Sequence, residues 1–233
     1  MYLMKAIKKD GVFMIGIIIA MDEELNALKK YLKINKENKI YDLIFLEGEI
    51  KNKKCVVVKC GIGKVNAART TQILIDNYKA DYIINIGVAG GLKNTNVGDI
   101  IIASKLVQYD FDITKFDHEL GFITGVGKYL DCDKNLIDKA INLKSYNTCL
   151  GVIATGDTFI TSIEQSRFIE KEFDALAVEM EGAAIAQICY LSNIPFIIIR
   201  SISDNPNNDN QLDFSKFIDD SSLKVAKFVN EMI

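Results

Sequence analysis

Two carboxylates bracket a methionine at Glu179-Met180-Glu181, directly after the short apolar run 175–178. Gly182 then lets the chain turn into 183–188, which reads as a helix. A buried carboxylate without a partner is costly, so each must meet a hydrogen-bond donor. Sugar hydroxyls would serve. The plainer reading is that one Glu caps the following helix, where negative charge is favoured. The same pattern, an apolar run ending in polar or glycine-rich residues, recurs at 21–24, 60–63, 87–91, 156–160 and 203–204. In α/β folds, ligands bind beyond the carboxyl ends of strands, so these ends are expected to converge on one pocket. Glu24, Glu181 and Asp204 would bring three carboxylates there. That set suits acid–base work on a neutral polyol that carries a leaving group. Each has a plainer reading: Glu24 as a solvated acid in a first helical turn, Asp204 as the cap of a turn, Phe159 as ordinary core. Arg200 reads as structural.

The elements that must position these residues alternate along the chain. Residues 15–20 form a continuous apolar run of strand length, typical of a sheet covered on both faces. Helical spacing follows over 21–32, with Leu25, Leu28 and Leu32 on one face. Strands are expected over 41–50 and 54–59, joined as a hairpin. After the glycine turn at Gly61-Ile62-Gly63, a helix is expected over 65–77, with Ala67, Ala68, Thr71 and Ile75 inward. Strand 82–86 is expected to break into a small-residue loop at 87–92, where backbone can approach a ligand closely. A strand over 100–107 precedes an irregular stretch, 108–131. A helix over 134–146, a strand over 149–154 and a helix over 162–172 follow. Strand 196–200 leads into Ser201–Asp204 and a polar loop at 205–210, and an amphipathic helix over 214–232 closes the chain. The alternation predicts a single-domain α/β fold, three layers α/β/α, with a mixed, largely parallel central sheet.

Composition narrows the function classes. The chain has 233 residues, 49% of them hydrophobic, enough for a substantial core. Net charge is −3 and no basic block occurs, so nucleic acid is not an expected partner. Arginine is confined to Arg69, Arg167 and Arg200, few for a phosphate-gripping protein. The five cysteines form no CxxC, and His118 is the sole histidine. Neither a metal site nor a disulfide framework is expected, and a reducing cytoplasm fits best. Lys5, Lys8 and Lys9 before the apolar run 11–21 imitate a signal peptide, but no small-residue cleavage site follows. The run is also too short to span a bilayer, so no membrane partner is expected. Residues 1–13 read as a dispensable extension that the fold does not need, and 14–233 as the working domain. No G-x-G-x-x-G follows the first strand and no P-loop occurs, so no dinucleotide, nucleoside triphosphate or other cofactor is expected.

Seven motifs in order carry a resemblance. They are Ile15-Gly-Ile-Ile-Ile-Ala-Met-Asp-Glu-Glu24, Gly61-Ile-Gly-Lys-Val65, Asn85-Ile-Gly-Val-Ala-Gly-Gly91, Val97-Gly-Asp-Ile100, Gly156-Asp-Thr-Phe-Ile160, Val178-Glu-Met-Glu181 and Ile202-Ser-Asp204. Over nearly the whole chain from Met14, the sequence resembles the 5′-methylthioadenosine/S-adenosylhomocysteine nucleosidases, within the wider nucleoside phosphorylase superfamily. The resemblance implies hydrolysis of an N-glycosidic bond, releasing adenine and a 5-thio-substituted ribose. It implies Asp204 as the general acid at adenine N7, oriented by Ser203, and Glu24 as the residue that activates water. Glu181 would hold the ribose hydroxyls, with Met180 packed on the sugar and Glu179 beside it. Phe159 would stack on the base, the Ile160 backbone would read its edge, and Ala89 and Gly90 would face the nucleoside. Met21, Ile62 and Phe214 would line the pocket for the sugar and 5′-substituent. Ile113 and Phe116 match positions that close a neighbouring subunit's pocket, which implies a homodimer. The sequence departs from the pattern at Val88, His118 and Thr124, around the expected 5′-substituent pocket. Another purine nucleosidase, a nucleoside phosphorylase and a non-enzymatic nucleoside-binding protein remain alternatives. The acidic Asp22-Glu23-Glu24 turn argues against a phosphate site.

Overall fold

The computed structural model describes residues 13–93, 95–204 and 210–233. The expected extension, apart from Phe13, and residues 205–209 of the polar loop expected over 205–210 lie outside the described residues. The described chain runs β1 (Ile15–Ile19), α1 (Asp22–Lys29), β2 (Lys33–Ile40), β3 (Leu43–Ile50), β4 (Lys53–Lys59), α2 (Lys64–Tyr78), β5 (Tyr82–Gly91) and β6 (Ile100–Gln108). A 3-10 turn (Thr114–Phe116) and β7 (Leu130–Asp131) interrupt the stretch that had no expected structure. Then follow α3 (Lys134–Ile141), β8 (Thr148–Thr155), α4 (Ile163–Phe173), β9 (Ala175–Glu179), α5 (Gly182–Leu191), β10 (Phe196–Asp204) and α6 (Asn210–Met232).

All five residues of β1 are buried because the sheet is covered on both faces. Ile15, Ile17 and Ile19 pack with Leu28 of α1, Ala140 of α3 and Phe228 of α6. Ile18 points the other way, into a cluster with Ala67 and Leu74 of α2 and Ala183, Ala184 and Ala186 of α5. The small residues of α5 let it lie close to the sheet. A third cluster joins Ile169 and Phe173 of α4 to Val107, Val152, Ala154 and Val178. Helices on both sides of one mixed sheet make the expected single-domain α/β architecture.

The sheet order is β10-β6-β8-β9-β5-β1-β4-β3-β2, with β7 on β6 and a further pairing of β10 with β5. That last pairing closes β5, β9, β8, β6 and β10 into a ring. Parallel pairs (β1–β4, β1–β5, β5–β10, β6–β8, β8–β9) balance antiparallel ones. The ring brings distant strand ends side by side. Gly90 of β5 stands opposite Asp204 of β10 on one side and Val178 of β9 on the other.

The structure departs from the expected boundaries at several places and adds a strand that was not expected. Residues 87–91 are not a loop: β5 continues through Gly91, because these small residues sit between β9 and β10. Strand β2, KINKENKI, has no apolar alternation to reveal it. It is an exposed edge strand held by its antiparallel pairing with β3. Helix α3 stops at Ile141 and α6 starts at Asn210, so the first is shorter than expected and the second longer.

Candidate active site

The C-terminal ends of the strands enclose one cleft of about 490 Å3, measured out to its open mouth. Its lining includes Met21, Glu24, Ile62, Ala89, Gly90, Phe159, Glu179, Met180, Glu181, Ser203, Asp204 and Phe214. Ala20, Val88 and Val178 complete it. Ile160 lies in an adjoining recess with Thr158, Phe159, Gly90, Met180 and Asp204. Ile113 and Phe116 line neither recess of their own chain. Phe116 is 75% exposed.

Glu24 sits in the first turn of α1, yet it is not a solvated helix acid. It is 1% exposed. Its carboxylate folds back to accept the N–H groups of Ala20 and Met21, both at 3.0 Å, and that of Val88 at 2.9 Å. Burial pushes its pKa above the ordinary carboxylate value, against the opposing pull of Arg200 and of these three N–H groups. A carboxylate with a raised pKa is a better proton acceptor from water near neutral pH.

The two glutamates of the opening motif take different tasks. Glu179 caps α5: its carboxylate accepts from Glu181 N–H at 3.0 Å and from Gly182 N–H at 2.8 Å. It also accepts the Thr155 hydroxyl and the Arg200 guanidinium. With both oxygens so engaged, its side chain is committed to the framework, while the residue still lines the cleft. Glu181 is the one turned elsewhere. Its Oε1 accepts Gly63 N–H at 2.9 Å, and its Oε2 lies 3.4 Å from Arg200 Nη2. Gly63 adopts φ +99°, a left-handed conformation that suits glycine and aims that N–H. Burial raises the Glu181 pKa, Arg200 lowers it, and the neighbouring Glu179 and Glu24 raise it again, to about 7.

Arg200 ties these acids together. Nη2 donates to Asn85 Oδ1 at 2.7 Å as well as to Glu179 and Glu181. The guanidinium is 1% exposed and carries the charge that lets three carboxylates share a buried wall. The structural reading of Arg200 understated its part. The signal was present: a lone arginine ending the run Phe196-Ile-Ile-Ile must be paired if the strand is buried. Asn85, polar in the middle of the apolar strand β5, carried the same signal and was not singled out. It holds Arg200 and donates to Ile18 O at 2.9 Å.

Across the cleft, Ser203 Oγ donates to Asp204 Oδ1 at 2.7 Å. Both residues are buried at the end of β10. Phe159 is 43% exposed and meets Phe214 edge-on, ring centroids 5.6 Å apart. Thus an aromatic platform, a hydroxyl-oriented carboxylate, and two further carboxylates backed by an arginine surround one apolar space. Of the departing positions, Val88 lines the cleft. His118 is exposed and stacks on Phe122 at 4.6 Å, and Thr124 is exposed. Among the described residues, no group of His, Cys, Asp and Glu is placed to hold a metal ion. No helix among them is long and apolar enough to cross a membrane.

A closed mixed sheet with acids at its strand ends defines a class, and comparison with known proteins names it. The chain belongs to the phosphorylase superfamily, whose family profile matches residues 14–233. A 5′-methylthioadenosine/S-adenosylhomocysteine nucleosidase from Exiguobacterium is 40% identical over 221 residues, covering 92% of this chain and 95% of that protein. Among solved structures, a mutant of the Helicobacter pylori nucleosidase of that kind, with 5′-methylthioadenosine in its active site, superposes with a TM-score of 0.91. It is 34% identical over 94% of this chain and 97% of that one. Futalosine hydrolase of Helicobacter pylori is similar to the same degree: TM-score 0.91 and 34% identity, covering 96% of this chain and 98% of that one.

Proposed function

We propose that this chain is a nucleosidase: it hydrolyses the N-glycosidic bond of 5′-methylthioadenosine and S-adenosylhomocysteine, releasing adenine and the 5-thio-substituted ribose. The observation that carries the reading is the convergence of Glu24, Glu181 and the Ser203–Asp204 pair on one cleft. The similarity to nucleosidases over almost the full chain supports it.

The residues divide the chemistry between them. Cleavage of such a bond passes through an oxocarbenium-like state, and departure of the base needs protonation. Asp204, held by Ser203, gives its proton to N7 of the purine as the C1′–N9 bond breaks and its electron pair leaves with the base. Glu24 takes a proton from water, whose oxygen bonds to C1′. Glu181 accepts hydrogen bonds from the ribose hydroxyls, and its negative charge favours the cationic sugar. Met180 packs on the sugar and Phe159 stacks on the base, with the Ile160 backbone at its edge. Met21, Ile62 and Phe214 enclose the 5′-substituent. Arg200 keeps the carboxylate wall intact.

Among the described residues, no lysine or arginine lines the cleft. A phosphorylase must hold a phosphate dianion where water would otherwise attack, and this wall would repel it. We therefore favour hydrolysis over phosphorolysis. The equal similarity to a futalosine hydrolase keeps a second purine nucleoside in view. The test is incubation with 5′-methylthioadenosine, S-adenosylhomocysteine, adenosine, inosine and futalosine, with and without phosphate. Free sugar and base at a rate indifferent to phosphate support the reading. A sugar 1-phosphate would overturn it, and binding without turnover would make the chain a nucleoside-binding protein.

We further infer a homodimer in which Ile113 and Phe116 complete the partner's pocket, since Phe116 projects from its own chain without lining its own cleft. Residues 14–233 are inferred to suffice for activity without 1–13, and the cytoplasm is the inferred compartment.

A further inference from the structure

The glycine turn before α2 holds two carboxylates on successive N–H groups. Gly63 N–H donates to Glu181 Oε1 at 2.9 Å, and Lys64 N–H donates to Asp157 Oδ1 at 2.8 Å. Glu181 belongs to the carboxylate wall, and Asp157 stands two residues before Phe159. The same Lys64 closes a circuit with its side chain. Its Nζ donates to Asp110 Oδ1 at 2.6 Å and to Gln108 Oε1 at 3.1 Å. Asp110 Oδ2 in turn accepts Asp157 N–H at 3.0 Å. Lys64, Asp110 and Asp157 thus form a closed ring of hydrogen bonds from three separate segments: the start of α2, the residues after β6 and the loop after β8. Gln108 Nε2 extends it to Gln187 of α5 at 2.8 Å.

None of these three residues lines the cleft. We propose that Lys64 and Asp110 are positioning residues for catalysis: they clamp Asp157 and the Gly63 turn together, and so fix Phe159 relative to Glu181. This rests on the nucleosidase reading, in which Phe159 takes the base and Glu181 the ribose of one nucleoside. A single covalent bond joins the two halves of that ligand at a fixed short distance, so the two walls must keep one separation. Without the clamp, the loop 156–160 samples positions in which the base platform is misplaced. Apparent affinity then falls in proportion to the competent fraction. The Lys64 and Asp110 side chains are 18% and 28% exposed, so the pair is partly sheltered while still reaching solvent. Position, rather than folding, is what the pair supplies.

The test uses the full chain and the variants Lys64→Met, Lys64→Arg, Asp110→Asn and the double variant Lys64→Met/Asp110→Asn. Lys64→Met keeps the backbone N–H and removes the ammonium. It should raise both the KM for 5′-methylthioadenosine and the calorimetric Kd for adenine by about tenfold. Its kcat should stay within about threefold and its unfolding midpoint should match wild type. Lys64→Arg should recover most of the affinity. The double variant should be no worse than either single one, because both break the same ring. An unchanged KM and Kd in Lys64→Met, additive losses, or a loss that follows a lowered unfolding midpoint would overturn the clamp. Adenine binding reads the clamp without turnover. Wild-type protein that binds adenine but cleaves no nucleoside would sink the nucleosidase reading, while the variants' Kd values would still decide the clamp. Wild-type protein that binds no adenine would overturn both.

Discussion

Glu24 and Arg200 approach each other over Gly87. A Cβ added there would lie 2.6 Å from Glu24 Oε1 and closer still to the guanidinium. The slot that a side chain would fill is where Glu24, the acid we propose activates water, and its counter-charge pass. Gly87→Ala must therefore push apart two buried, hydrogen-bonded groups. Displacing a reacting group by about 1 Å can cost about 100-fold in rate. We expect kcat to fall by about that factor in Gly87→Ala, with adenine affinity changed far less, because the base site lies across the cleft. A steady-state assay paired with adenine binding checks this. Unchanged kcat would show that Glu24 need not hold its present place.

Arg200 is the sole guanidinium contact of Glu179 and Glu181 among the described residues. Arg200→Met would leave buried carboxylates uncompensated, and breaking one side of a buried pair costs about 3–5 kcal/mol. Denaturant unfolding should show a loss of that order. A loss under about 1 kcal/mol would mean the acids are neutralised some other way.

Glu181 gives a pH signature. Its pKa rises from 4.5 to about 7 on folding, chiefly through burial. The folded state therefore holds a proton that the unfolded chain releases as pH rises past the lower value. Ionisation across this window costs the native state, so the Glu181 contribution to stability is present below about 4.5 and fades as pH rises toward about 7. Comparing urea unfolding of wild type and Glu181→Gln across that window isolates it. The wild-type stability should fall relative to the variant as pH rises. A difference that is flat with pH would contradict the shift. Glu24, raised by burial in the same way, must be ionised to accept a proton. The acid limb of kcat/KM should accordingly stand above the ordinary carboxylate range.

Phe116 supplies a test of the proposed dimer. Phe116→Ala should raise KM, while Glu24→Gln should abolish turnover. Mixing and re-annealing the two variants gives hybrids in which an intact Glu24 meets an intact Phe116 from the other chain. Recovery of wild-type KM in the mixture is expected. A KM that stays at the Phe116→Ala value would place Phe116 outside the neighbouring pocket.

Much of this was legible in the sequence because strand-end chemistry is local. The apolar run before Glu24, the turn at Gly63, Gly156-Asp157 before Phe159, and Ser203-Asp204 after a buried strand each show within a few residues. What was hidden depends on long-range pairing. Nothing in 87–91 says that β9 and β10 will flank it and turn glycines into strand. Nothing in Glu179-Met180-Glu181 says which acid will cap α5 and which will face Gly63, since Thr155, Arg200 and Gly63 all come from elsewhere. β2 was invisible because an exposed edge strand needs no apolar period.

In the proposed reaction, water activated by Glu24 attacks C1′. Turnover of 5′-methylthioadenosine in water enriched in 18O, in the presence of phosphate, tests it most directly. One 18O atom at C1 of the released methylthioribose and no sugar phosphate are expected. Methylthioribose 1-phosphate, or a sugar without the label once C1 exchange with solvent has been corrected for, would contradict it.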